Sequence, residues 1–135
     1  MAAIGYQKNV ELYHLMGRGH ILKANKYQRK VMETANNDLT NYQSLQDGVM
    51  GLNGEAGECI DVVKKHLFQG HDLDEKHLAE ELGDVAWYLA YTANTIGYSL
   101  NDIFQMNIDK LKKRYPNGFN EEDSVNRDDV LKWNK

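Results

Sequence analysis

The sequence predicts an all-α protein, and two observations carry that expectation. The chain has a single proline, Pro116, in 135 residues, so little interrupts a helix. Apolar residues recur at three- and four-residue steps through much of the chain, the period of helices that bury one face. The length suits one domain with its own core. No repeat, low-complexity tract or long linker divides it.

The elements follow in order. Tyr6 to Met16 reads as a short helix ended by Gly17 and Gly19. Glu11 and His14 have the E-x-x-H spacing of half a di-iron site, but a second such motif is absent, so a surface helix is the better account. Asn25 to Ala35 reads as a helix with Tyr27, Val31 and Met32 on one side, broken by Asn36, Asn37 and Asp38. A second helix runs from near Asn41 to about Phe68. Its expected core seam is Leu45, Val49, Leu52, Ala56, Ile60, Val63 and Leu67. Gly51, Gly54 and Gly57 cost about 1 kcal/mol each inside that helix, which close approach of another helix or a ligand would explain.

Gln69-Gly70-His71 is a turn, and Asp72 with Glu75 resembles a capping box. His71-Asp72 alone is weak evidence for an HD-type phosphohydrolase, and a loop followed by an N-cap explains it better. The third helix is expected from about Leu73 to Ile96, with a seam of Leu78, Leu82, Val85, Leu89 and Ile96. Gly97 closes it. Ser99 with Asp102 caps a fourth, which turns Leu100, Ile103, Phe104, Ile108 and Leu111 inward. The tail from Glu121 to Lys135 is polar and peripheral.

The bulk composition excludes some functions. A net charge of −4 argues against a protein that coats nucleic acid, although a single nucleotide stays compatible. Cys59 is the lone cysteine, so an intrachain disulfide is excluded and a reducing cytoplasm fits. The N-terminus carries no apolar signal-peptide core. The longest uncharged stretch, between Asp84 and Asp102, includes Thr92, Asn94, Thr95, Gly97 and Ser99. It reads as a buried helix with a turn, not as a membrane span.

The chemistry concentrates between Gly51 and Asp84. Glu55-Ala56-Gly57-Glu58 and Glu81-Leu82-Gly83-Asp84, with Glu80 just before the second, are two carboxylate pairs at i, i+3. On a helix that spacing puts both side chains on one face. The short turn makes the two helices antiparallel neighbours, so the pairs meet at one end of a shared groove. Four carboxylates held close repel one another and lose hydration. A hard divalent cation relieves both, and carboxylate oxygen is what Mg²⁺ or Mn²⁺ prefers. The expectation is a helical, metal-dependent enzyme acting on phosphate esters. Tyr88 and Tyr91 extend the carboxylate face, where they would flank a base or sugar or simply pack the core. Asn107, Lys110 and Arg114 share one face of the fourth helix, which would hold phosphate oxygens or be an ordinary solvated face.

These residues resemble the MazG-like all-α nucleoside triphosphate pyrophosphohydrolases. That family's pattern is E-E-x-x-E followed, across a helical hairpin, by E-x-x-D. Here Gly54-Glu55-Ala56-Gly57-Glu58 precedes Glu81-Leu82-Gly83-Asp84, and Arg114-Tyr115-Pro116-Asn117-Gly118-Phe119 matches the family's close. The resemblance covers residues 25–119, leaving 1–24 as an N-terminal extension and 120–135 as a tail. One departure is Gly54, where the family has the first Glu.

The resemblance implies a four-helix bundle completed by a partner subunit, as a homodimer or a dimer of dimers. It implies hydrolysis of a nucleoside triphosphate to monophosphate and pyrophosphate, in nucleotide-pool house-cleaning, with no nucleic-acid polymer or membrane as partner. Glu55, Glu58, Glu81 and Asp84 would hold Mg²⁺, with Mn²⁺ as the alternative, and Glu55 would serve as the base. Tyr88, Asn107, Lys110 and Arg114 would contact the substrate. A phosphoribosyl-ATP or deoxyuridine-nucleotide pyrophosphatase would use the same acids. From another class, the chain would be a catalytically silent helical dimer that binds nucleotide or a protein, a reading favoured by Gly54.

Overall fold

The computed structural model describes residues 22–125. They form five helices: α1 (Ala24–Met32), α2 (Asn41–Gln69), α3 (Glu75–Thr95), α4 (Leu100–Arg114) and α5 (Glu121–Val125). Among the described residues there is no β-strand, only an isolated bridge between Pro116 and Gly118. The fold is all-α. The helix expected at Tyr6 to Met16, with Glu11 and His14, lies outside the described residues.

The caps explain the boundaries. Thr40 accepts from the Gln43 backbone N–H while the Gln43 side chain accepts from Thr40 N, so a full capping box opens α2. Gly70, at φ 73°, takes the left-handed conformation that ends it. The cap of α3 is Asp74, whose Oδ1 accepts from His77 N at 2.9 Å. This corrects the expected Asp72 cap: Asp74 lies one residue before the first helical position, where its short carboxylate reaches an orphan N–H. Ser99 and Asp102 form the expected capping box on α4. Helix α1 stops at Met32, short of the expected Ala35. There the Thr34 hydroxyl donates to Val31 O at 2.9 Å, a local bond that competes with helix continuation.

Helices α2 and α3 form a long antiparallel hairpin, α1 packs on α3, and α4 packs on α1 and α3. The core is Val31, Ala35, Ala90, Tyr91, Ala93 and Leu100, with Tyr27, Trp87, Tyr88, Leu89 and Ile103 partly buried against it. Helix α1 also secures the start of α4. Gln28 donates to Tyr98 O and accepts from Leu100 N, each at 2.9 Å, while Asn25 accepts from Asn101 N at 3.0 Å.

The expected seams are corrected. On α2 the packed face is Leu45, Gly48, Gly51, Leu52, Glu55, Cys59 and Val62. Val49, Ile60 and Leu67 are exposed at 51%, 67% and 62%. The reason is steric: Gly48 and Gly51 have no side chain, so Thr92, Tyr91 and Tyr88 of α3 seat against them, and that contact rotates the larger apolar residues outward. Leu82 on α3 and Ile96 just past its end are likewise exposed. On α4 Leu100 is buried and Ile103 half-buried, but Phe104, Ile108 and Leu111 remain exposed.

Candidate metal centre

The hairpin brings one acid of α2 to two of α3. Glu55, Glu81 and Asp84 each offer a carboxylate oxygen within 4.8 Å of the others. Glu55 and Glu81 are half-buried and Asp84 is exposed. Two oxygens bound to one Mg²⁺ lie at most about 4.2 Å apart, so small side-chain rotations suffice to bring this triad onto one ion. Among the described residues this is the His, Cys, Asp or Glu group gathered tightly enough to hold a metal. Glu58, one turn further along α2, is exposed and stands outside the triad.

The electrostatics agree with the geometry. Loss of hydration, then the negative charges of Asp84, Glu81 and Glu58, hold the Glu55 carboxyl above its usual range. A cation would reverse that repulsion, so the donor set fits a hard divalent ion. Tyr88 rises above the ordinary phenol value through burial and the charges of Asp47, Glu55 and Asp84. Its ring meets Trp87 edge-on, with centroids 4.9 Å apart, so Tyr88 both packs and borders the acids. Tyr91 is buried and stacks on Trp87, consistent with the core alternative.

Asn107 and Lys110 line a groove of about 460 Å³ with Leu89, Ile103, Phe104 and Met106. No acid of the triad lines this groove. Arg114 is half-buried, with its guanidinium 5.9 Å from the Tyr115 ring centroid. His71 and Asp72 are exposed in the hairpin turn, where His71 O meets His66 Nδ1 at 2.9 Å, so the loop reading accounts for them.

Three residues gain a role around the site that the sequence did not assign to them. His77 lies on α3 with Nε2 2.7 Å from Glu81 Oε1. Its i, i+4 spacing was a readable signal. Asp47 sits two helical turns before Glu55 and faces Tyr88 closely enough to raise its phenol. Tyr27, on α1, feels Asp84 and has its hydroxyl 3.5 Å from Gly83 O. No local pattern links it to residues this distant in the chain.

The Gene 37 protein of Mycobacterium phage L5 is 38% identical over 85 residues, covering 60% of this chain and 75% of that protein. No solved structure matches. The family model of the MazG nucleotide pyrophosphohydrolase domain matches residues 43–119, a span that contains α2 beyond its first two residues, all of α3 and α4, and every acid of the triad. The chain therefore belongs to the MazG nucleotide pyrophosphohydrolase family.

Proposed function

We propose that the chain hydrolyses (deoxy)nucleoside triphosphates to nucleoside monophosphate and pyrophosphate in a Mg²⁺-dependent reaction that clears or regulates the nucleotide pool. The observation that carries this reading is the convergence of Glu55, Glu81 and Asp84 within the family's matched span. These three would hold the ion, with Glu58 joining from the next turn of α2. Mn²⁺ would serve in its place. The bound ion would offset phosphate charge and polarise the phosphate oxygens.

Glu55 is the proposed base. As a carboxylate beside the ion, it would take the proton released by the attacking water. Water supplies the new oxygen–phosphorus bond, the α–β anhydride bond breaks, and pyrophosphate leaves with the bonding electrons. Tyr88 borders the acids and would flank the nucleotide. Asn107, Lys110 and Arg114 would supply donors and positive charge to nucleotide or phosphates.

The proposed partner is a second copy of this chain. Val49, Met50, Ile60, Leu67 and Phe68 expose half or more of their surface along α2. From Val49 to Phe68 that row covers about 28 Å of helix axis, long enough for a standard interface of ~800 Å² per partner. Sedimentation of the wild type against Leu67→Asp tests it: a dimer becoming a monomer is expected, and a monomeric wild type overturns it.

The reaction is tested by incubating the chain with Mg²⁺ and each common NTP and dNTP, then resolving products by anion exchange. Monophosphate plus pyrophosphate, lost in Glu55→Gln and in Asp84→Asn, is the expected result. Diphosphate plus phosphate would overturn the assigned bond. Nucleotide binding without turnover would favour the silent dimer that Gly54 suggests.

A further inference from the structure

The carboxylate of Glu81 is held from outside the triad. His77 and Glu81 stand one turn apart on α3, and the His77 Nε2–Glu81 Oε1 distance is 2.7 Å. The contact differs from its neighbour on the same helix. Lys76 and Glu80 have the same spacing but lie 3.5 Å apart with side chains 88% and 62% exposed, an ordinary solvated pair. The Glu81 side chain is only 13% exposed, so the bond from His77 is made to a largely desolvated carboxylate. His77 is itself fixed at its backbone, because its N–H donates to the capping Asp74 at 2.9 Å. The α3 cap thus holds the His77 backbone while the His77 ring meets Glu81.

We propose that His77 is a positioning residue, which donates from Nε2 to Glu81 Oε1 and thereby presents Glu81 to the cation shared with Glu55 and Asp84. The inference rests on the metal reading of this site. A carboxylate has about four lone-pair sites, so Glu81 can accept from His77 and still ligate. A free glutamate side chain loses rotamer entropy when a ligand fixes it. A donor that restricts it beforehand lessens that loss, and outer partners of this kind commonly change metal affinity by ~10–100-fold. The donor N–H is present on the Nε2 tautomer and on the imidazolium alike, so the role does not depend on the charge of His77.

The experiment is a Mn²⁺ titration of the full chain without nucleotide, following free Mn²⁺ by electron paramagnetic resonance. His77→Leu removes the donor, while His77→Gln places an amide N–H near the Nε2 position. Circular dichroism melts confirm that both variants fold, as expected for a ring 47% exposed. The expected result is a Kd raised by about 10-fold or more in His77→Leu and within about 3-fold of wild type in His77→Gln, the retained donor preserving the support. An unchanged Kd in His77→Leu overturns the proposal. Equal weakening in both variants also overturns it, since His77 would then act as a direct nitrogen ligand. Absence of Mn²⁺ binding by the wild type would overturn the metal centre itself and this role with it, an outcome distinct from both others.

Discussion

The ring of Tyr88 occupies the space that a side chain at Gly51 would fill: a Cβ built on Gly51 would collide with the ring. This is a close approach of α3 to α2, one turn from Glu55. Gly51→Ala gains about 1 kcal/mol of helix propensity but overpacks the contact, which costs about 1–3 kcal/mol. Net destabilisation is expected in urea unfolding, with Tyr88→Leu in the same chain recovering part of it. Gly54, where an added Cβ meets nothing within 4 Å, is the control. Gly54→Ala should stabilise by up to about 1 kcal/mol.

Helix content, the hairpin and its acids were legible in the sequence because they follow from local spacing. The cap at Ser99 closes within three residues, and an i, i+3 pair shares a face wherever its helix goes. Which face of α2 turns inward was not legible. Periodicity favours the stripe of large apolar residues, whereas the structure packs the glycine side, because Gly48 and Gly51 admit the rings and hydroxyl of α3. The exposed apolar stripe that results is an argument about a partner that sequence alone had assigned to the core. Tyr27 was hidden for a different reason. Its approach to Gly83 spans 56 residues of chain, and only tertiary packing creates it.

Gln28 makes a second prediction. The residue is 6% exposed, and its amide satisfies both the Leu100 N–H and the Tyr98 carbonyl at the start of α4. Gln28→Leu keeps the bulk and abandons both partners, each worth about 1–3 kcal/mol when left unsatisfied. A loss of about 2–4 kcal/mol is expected in urea unfolding. Asn25→Ala, whose bond to Asn101 N is exposed, should cost no more than about 1 kcal/mol.

Metal binding should be visible as stability. An ion that binds only the folded chain stabilises it by roughly 2.7 kcal/mol at 100 times its Kd, which corresponds to several degrees in Tm. Mg²⁺ or Mn²⁺ at millimolar concentration should raise the wild-type Tm. Asp84→Asn and Glu81→Gln should abolish most of that rise. Glu58→Gln should reduce it less, because Glu58 stands outside the triad. Differential scanning calorimetry with and without EDTA decides it, and an unshifted wild type would count against convergence of the acids.

Glu55 gives the metal-free chain one pH-dependent part of its stability, because its folded carboxyl sits above the ordinary 4.5 through lost hydration and the charges of Asp84, Glu81 and Glu58. The folded state therefore keeps a proton at pH values where the unfolded state has released it. Stability rises with pH only where the unfolded state binds more protons. Here the folded state binds more, so this group's contribution is fully favourable below 4.5 and is lost as pH rises through the raised value. Glu55→Gln carries no titrating carboxyl and escapes that loss. In EDTA at pH 7 the variant should unfold at higher urea than the wild type, and the gap should close as pH falls toward 4.5. Adding Mg²⁺ at pH 7 should reverse the order, because the ion stabilises the charged Glu55 that the variant lacks. Paired urea melts across pH 4.5 to 7, with EDTA and with Mg²⁺, measure both effects. A gap that stays constant with pH would mean that Glu55 does not feel its neighbours.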